Sequence, residues 1–102
     1  MKESELFKTA EIKIPNTDLI IKIKTEFSWF EQLECIKIED KIERAKYMLC
    51  KLIVDWNLED SDSKQPLPVT KEVIERLPSS VAVPVSIAIE KIAKIKILKK
   101  NN

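Results

Sequence analysis

The sequence predicts an α+β fold in which an N-terminal β-hairpin is followed by a small bundle of three to four helices. Isoleucines alternate with polar residues over residues 10–25, which is typical of strands, and apolar residues recur at three- and four-residue steps over residues 38–56, which is typical of a helix. The chain has 102 residues, 44% hydrophobic and 34% charged. A chain of this length can bury one modest core, so we expect a single small domain spanning residues 1–102.

The first predicted element is the β-hairpin over residues 10–25. Apolar and polar side chains alternate with the period of two that a half-buried strand requires, and β-branched residues dominate. Residues 15–18 separate the two halves and have turn composition. The apolar members of the pattern are Ile12, Ile14, Leu19, Ile21 and Ile23.

The second predicted element is a helical segment over residues 28–56, which we expect to form the spine of the core. Ser28 and Glu31 have the S-x-x-E spacing of a capping box, so a short helix should begin there and run to about Ile36. A second helix should begin at Asp40 and continue to the end of the segment. Its apolar face has helical spacing: Ile38, Ile42, Ala45, Leu49, Leu52, Ile53 and Trp56.

A loop rich in proline and acidic residues follows over residues 57–69, and further helices are predicted over residues 70–98. Thr70 is a suitable N-cap for a short helix that Pro78 ends. A last helix should begin at Ser79 or Ser80, with Pro84 in its first turn and its apolar face from Val85 onward. The final dozen residues fit a helix and a strand equally well, and both alternatives stay open.

The absence of histidine and glycine excludes several classes of function. Without glycine there is no Walker loop and no dinucleotide fingerprint, and without histidine the commonest general base and metal ligand is missing. We therefore expect no enzyme, no cofactor and no metal site. Cys35 and Cys50 are interpreted either as small buried hydrophobic residues or as a single disulfide.

The chain shows neither a basic, apolar signal peptide at its N-terminus nor an apolar stretch of membrane-spanning length. We therefore expect a cytoplasmic protein with no membrane contact. Residues 91–102 contain five lysines and no acidic residue. This basic end has two interpretations. It is either a binding site for nucleic acid or an acidic partner, or a solubilising end whose lysines interact favourably with the helix dipole. We prefer the second interpretation.

Three large aromatic residues are candidates either for the core or for contact with a partner. Trp29 and Phe30 open the first helix, and Trp56 is expected to end the second. An exposed tryptophan is a natural anchor at a protein interface, although most buried aromatics serve packing. We favour the core for Trp56 and leave both interpretations open for Trp29.

The region from Val54 to Pro78 resembles the central motif of the tail assembly chaperones of long-tailed bacteriophages and prophages. In that family a helix ends in a W-x-L-x-D pattern, an acidic turn follows, and L-P-x-T begins a short helix that ends in L-P. The matching residues here are Trp56, Leu58, Asp60, Leu67, Pro68, Thr70, Leu77 and Pro78. The match covers about a quarter of the chain.

The resemblance implies a non-enzymatic protein that binds the tape measure protein during tail morphogenesis and helps to recruit tail tube protein. Trp29, Phe30 and the isoleucines of the last segment are the candidate contact surface, and self-association is a further expectation. The alternatives are a structural tail or connector component of the virion and a small nucleic-acid-binding regulator with a basic C-terminal tail.

The acidic turn departs from the family pattern, in which Asp-Gly is common. Here Asp62 is followed by Ser63. Because serine is disfavoured at positive φ, we predict that Ser63 does not adopt the left-handed conformation that glycine would.

Overall fold

The computed structural model describes residues 1–92 and confirms the predicted α+β fold. A single 3₁₀ turn over Glu3–Leu6 precedes three strands and four helices. The elements are β1 (Thr9–Lys13), β2 (Ile20–Lys24), α1 (Trp29–Ile36), α2 (Lys41–Leu52), β3 (Ile53–Trp56), α3 (Lys71–Glu75) and α4 (Ser79–Ile92). The predicted conformation of residues 93–98 lies outside the described residues.

The strands form one antiparallel sheet in the order β1-β2-β3. The predicted hairpin is confirmed, with Ile12 opposite Ile21 across β1 and β2. Its turn begins where the Ile14 N–H donates to the Leu19 carbonyl oxygen at 3.1 Å. Asn16 supplies the left-handed residue of the turn with φ of 64°, a conformation that asparagine tolerates better than most residues.

The core lies between one face of this sheet and the helices, with α2 in contact with each of the other three helices. The alternating isoleucines of the hairpin point into the core as their period of two requires. Fully buried large side chains come from all layers of the fold: Ile21, Ile23, Leu52, Val85 and Ile89.

The prediction that residues 28–56 are helical throughout is wrong for the last four. α2 ends at Leu52, and Ile53 already has extended backbone with φ of −71° and ψ of 124°. Residues 53–56 instead form β3 and pair with the open edge of β2, with a bulge opposite Lys22 and Ile23. Ile53 and Val54 are β-branched and suit a strand, and three backbone pairings with β2 outweigh the helical pattern. Trp56 therefore ends a strand and not a helix.

Pro84 also differs from its predicted place. It is the sixth residue of α4 and so lies beyond the first turn. Proline has no N–H for the Ser80 carbonyl, but Ser80 is exposed, so water can satisfy that oxygen. The buried face of α4 runs continuously past the proline through Val81, Val85 and Ile89.

Candidate functional site

The motif around Trp56 forms a closed structural clasp. The Trp56 ring is 8% exposed, and its Nε1–H donates to the Leu67 carbonyl oxygen at 2.8 Å. The Leu67 N–H in turn donates to the Leu58 carbonyl oxygen at 2.9 Å. A bridge between Glu59 and Pro66 continues this pairing. The loop over residues 57–69 is thus folded back along itself and fixed to the end of β3.

The acidic turn at the tip of this loop is organised by Asp60. Its Oδ2 accepts hydrogen bonds from the backbone N–H of Ser63 at 2.9 Å and of Asp62 at 3.0 Å. These hydrogen bonds, that of Ser63 foremost, hold the pKa of the Asp60 carboxyl below its ordinary value. The prediction for Ser63 is confirmed, and the positive φ falls on the next residue, Lys64, at 62°.

The remaining motif residues also serve the fold. Thr70 Oγ1 accepts from the Val73 N–H at 3.3 Å, which confirms the predicted N-cap of α3. The Pro78 carbonyl oxygen accepts from the N–H of Val81 and Ala82 at the start of α4. Three motif leucines pack half-buried against the core, while Pro68 and Pro78 are exposed: Leu58, Leu67 and Leu77. The structure thus gives most of the motif a packing or capping role.

One structurally important residue in this region was missed by the sequence analysis. Asn57 joins the clasp to the hairpin, because its Oδ1 accepts from the Ile20 N–H and its Nδ2 donates to the Asp18 carbonyl oxygen, both at 2.8 Å. A polar residue directly after an edge strand would have indicated this role, but β3 had not been predicted as a strand.

An exposed apolar face on α1 is the candidate functional site. Trp29 is 73% exposed, Phe30 71%, Ile36 49% and Leu33 39%. The two aromatic rings contact each other, with centroids 5.7 Å apart. The four side chains have helical spacing and share one side of α1, whereas Cys35 is buried on the other side. We call these four residues the α1 face.

The α1 face includes Trp29 and Phe30, which the sequence analysis had named, and Leu33 and Ile36, which it had not. Leu33 and Ile36 follow Trp29 by four and seven residues, and this helical spacing could have identified them from the sequence. A groove of ≈ 440 Å³ runs along the face, lined by Phe30, Leu33 and Ile36 with Glu34 and Lys37 at its border.

Several interactions hold α1 in place beneath its exposed face. The predicted capping box is confirmed: Ser28 Oγ accepts from the Glu31 N–H at 3.2 Å, and Glu31 Oε1 accepts from the Ser28 N–H at 3.0 Å. The same carboxylate pairs with Lys24 Nζ on β2 at 2.9 Å. At the other end, Arg44 donates twice to the Ile38 carbonyl oxygen, at 2.6 and 3.0 Å. The helix is therefore fixed to both the sheet and α2.

The ion pair at the start of α1 is largely sheltered, and it changes the acidity of Glu31. Burial alone raises the pKa of this carboxyl, but hydrogen bonds from Lys24 and Ser28 and the charge of Lys24 outweigh burial. The net effect lowers the pKa below its ordinary value of 4.5.

The cysteines are free, which decides between the two interpretations of the sequence. Cys35 is buried and Cys50 is half-buried, and burial raises the pKa of both thiols. Within residues 1–92 there is no cluster of three or more cysteine, aspartate or glutamate side chains placed to hold a metal ion. None of the helices in this range has the length and hydropathy of a membrane span.

The isoleucines of the last segment have mixed environments. Ile89 is buried, whereas Ile87 is exposed beside Val83 on the outer side of α4. Ile95 and Ile97 lie outside the described residues. Within residues 1–92 the most exposed of the candidate residues, Trp29 and Phe30, lie on α1, while Ile87 and Ile92 on α4 are less exposed.

Comparison with protein-family models, with curated proteins and with solved structures gives no match for this chain. The motif residues remain the basis for relating it to the tail assembly chaperones, and that relation is a proposal.

Proposed function

We propose that this protein is a non-enzymatic tail assembly chaperone of a long-tailed bacteriophage or prophage. In this proposal it acts in the host cytoplasm, binds the tape measure protein during tail morphogenesis and helps to recruit tail tube protein. The observation that carries the proposal is the α1 face, where two contacting aromatic side chains are exposed on a helix that is fixed from below.

Exposing these apolar side chains to water costs free energy. Taking about 200 Å² for a large apolar side chain, the α1 face exposes roughly 450 Å² of apolar surface. Patches of a few hundred Å² are among the largest on a monomeric protein and commonly mark interaction sites. Covering such a patch would contribute about 11 kcal/mol of gross hydrophobic free energy, much of which is offset by the cost of association. This favours a reversible partner, as a transient chaperone requires.

The motif supports the proposal because its residues stabilise the fold. Trp56, Leu67 and Thr70 match the family pattern and form the clasp and the cap that join β3 to α3. Their role in this proposal is to maintain the fold that presents α1, and we do not assign them to partner contact.

The test separates a chaperone from a permanent virion component. We expect the protein in the cytoplasm of infected or induced cells and its loss from purified mature particles, measured by quantitative mass spectrometry of both fractions. Stoichiometric recovery from mature particles would make it a structural tail or connector component. A gene position between those of the tail tube and a long tape measure protein is also expected, and a different neighbourhood would contradict the proposal.

A further inference from the structure

The charge around α1 indicates which kind of partner its apolar face takes. Residues 26–40 contain five acidic residues and one basic residue, a net charge of −4 in a chain whose net charge is +1. The single basic residue, Lys37, already lies 3.5 Å from Glu34. Asp40 caps α2, and Glu31 is paired with Lys24.

Two carboxylates remain at the ends of the helix. Glu26 precedes the N-cap of α1 by two residues, and Glu39 follows its last residue by three. Both are exposed, and within residues 1–92 neither takes part in an ion pair. The α1 face, about 12 Å long, therefore has an unpaired negative charge beyond each end.

We infer that the α1 face binds an amphipathic helix of the partner protein that carries an aliphatic stripe with lysine or arginine beyond both ends. Helix-in-groove recognition uses apolar side chains at helical spacing, which the α1 face offers over two turns. The cations of the partner would lie near Glu26 and Glu39 and fix the position of the stripe. The inference rests on the proposed function, because it names the chemistry of the segment that the proposed chaperone holds.

A second copy of this chain fits the face less well. Pairing α1 with another α1 would bring the unpaired carboxylates of the two copies, Glu26 and Glu39, towards each other in either orientation. Like charges at an interface oppose association, whereas a basic helix is attracted.

The test uses the full-length protein and two synthetic helices of about 18 residues, or five turns. One carries leucines at positions i, i+3, i+4 and i+7 with lysines at both ends, and the other has glutamate in place of each lysine. Fluorescence emission reports binding directly, since Trp29 is exposed and Trp56 is buried. We expect the basic helix to shift the emission to shorter wavelength with a roughly micromolar Kd that weakens as salt is raised. The acidic helix should bind at least about tenfold more weakly.

Matched variants identify the surface and the charges. Phe30→Ser should weaken the basic helix at least about tenfold, whereas Ile42→Ser, which removes an apolar side chain with the same 71% exposure from α2, should leave binding unchanged. Glu26→Gln with Glu39→Gln should weaken it about three- to tenfold and flatten the salt dependence. The control pair Glu3→Gln with Glu59→Gln, both exposed and distant in sequence, should do neither. Far-UV circular dichroism confirms that each variant is folded.

Other outcomes overturn the inference. Equal binding of the two helices removes the charge argument, and equal weakening by Ile42→Ser removes the α1 face as the site. A concentration-dependent dimer that shields Trp29 and excludes both helices assigns the face to a second copy. If Trp29 emission shifts to longer wavelength when Lys94, Lys96 and Lys99 are replaced by glutamine, the chain's own basic end occupies the face. Absence of the protein from virions together with failure of both helices refutes this inference and leaves the proposed function standing.

Discussion

The two tryptophans of the chain have opposite environments, and their substitution distinguishes packing from surface. Trp56 is buried and donates to the Leu67 carbonyl, whereas Trp29 projects from α1. Trp56→Phe removes the hydrogen bond and part of the buried ring, so we expect a loss of about 2 kcal/mol in the free energy of unfolding. Trp29→Phe should change it by less than about 0.5 kcal/mol. Urea unfolding of both variants tests this, and equal losses would contradict the assigned environments.

The chain has no glycine, and the left-handed position that follows the acidic turn is occupied by Lys64. A side chain with a Cβ atom is disfavoured there by roughly 1 kcal/mol. Lys64→Gly should therefore raise the free energy of unfolding by about 0.5–1 kcal/mol, as measured by thermal and urea unfolding.

Ser63→Gly is the matched control for this prediction. Ser63 has no positive φ, so glycine there increases the freedom of the unfolded chain, and it also removes the hydrogen bond that Ser63 Oγ accepts from the Gln65 N–H at 3.3 Å. We expect a small loss of stability. Stabilisation by Ser63→Gly and not by Lys64→Gly would mean that Ser63, and not Lys64, is the left-handed residue of the turn.

At the scale of the elements, the side chain of Asn57 connects the loop after β3 to the hairpin with two hydrogen bonds. Asn57→Ala removes both and should cost about 1–2 kcal/mol of stability. Asn57→Asp keeps the acceptor for the Ile20 N–H but loses the donor to the Asp18 carbonyl, so it should cost less than alanine. Chemical denaturation orders the three proteins, and an alanine variant as stable as the wild type would rule out this connection.

The ion pair between Lys24 and Glu31 makes the attachment of α1 to β2 depend on pH. Because the pKa of Glu31 is lowered in the folded protein, its contribution is complete above the ordinary value of 4.5 and is lost as the pH falls below it. Glu31→Gln retains an acceptor for the Ser28 N–H but removes the charge. We expect it to reduce stability by about 0.5–1 kcal/mol at pH 7 and by less at pH 3. An equal loss at both pH values would show that the charge contributes nothing.

The sequence predicted those elements whose ends depend on residues close together in the chain. The alternation in the hairpin, the capping box at Ser28 and the caps at Asp40 and Thr70 involve residues within a few positions of each other, and all are confirmed. Strand β3 could not be predicted in this way. Leu49, Leu52, Ile53 and Trp56 fit the three- and four-residue steps of a helix, and what makes residues 53–56 a strand is β2, which lies about thirty residues earlier.

The candidate site was predicted only in part for a similar reason. The sequence identified Trp29 and Phe30 as possible contact residues, but periodicity does not show which side of an amphipathic helix is covered. In the structure Cys35 and Glu31 face the protein, and this leaves Leu33 and Ile36 on the outer side. The placement of α1 against β2 and α2 thus decides which apolar residues are exposed.

At the scale of the whole molecule, the sheet, α2 and the clasp form a fixed base that presents α1. The Lys24–Glu31 pair and the Arg44 hydrogen bonds hold the helix from opposite ends, and the core is closed beneath it. A fixed helix with exposed aromatic residues can bind a partner without first becoming ordered, so little of the binding free energy is lost to entropy. We propose that this surface holds the client of an assembly chaperone.

The most direct test of this proposal is co-expression with the tape measure protein that the proposal expects beside this gene, followed by quantification of the soluble complex. The wild type and Ile42→Ser should keep the tape measure protein soluble and co-purify with it. Phe30→Ser should reduce the co-purified amount at least about tenfold while remaining folded. Undiminished co-purification with Phe30→Ser, or none with the wild type, would contradict the account.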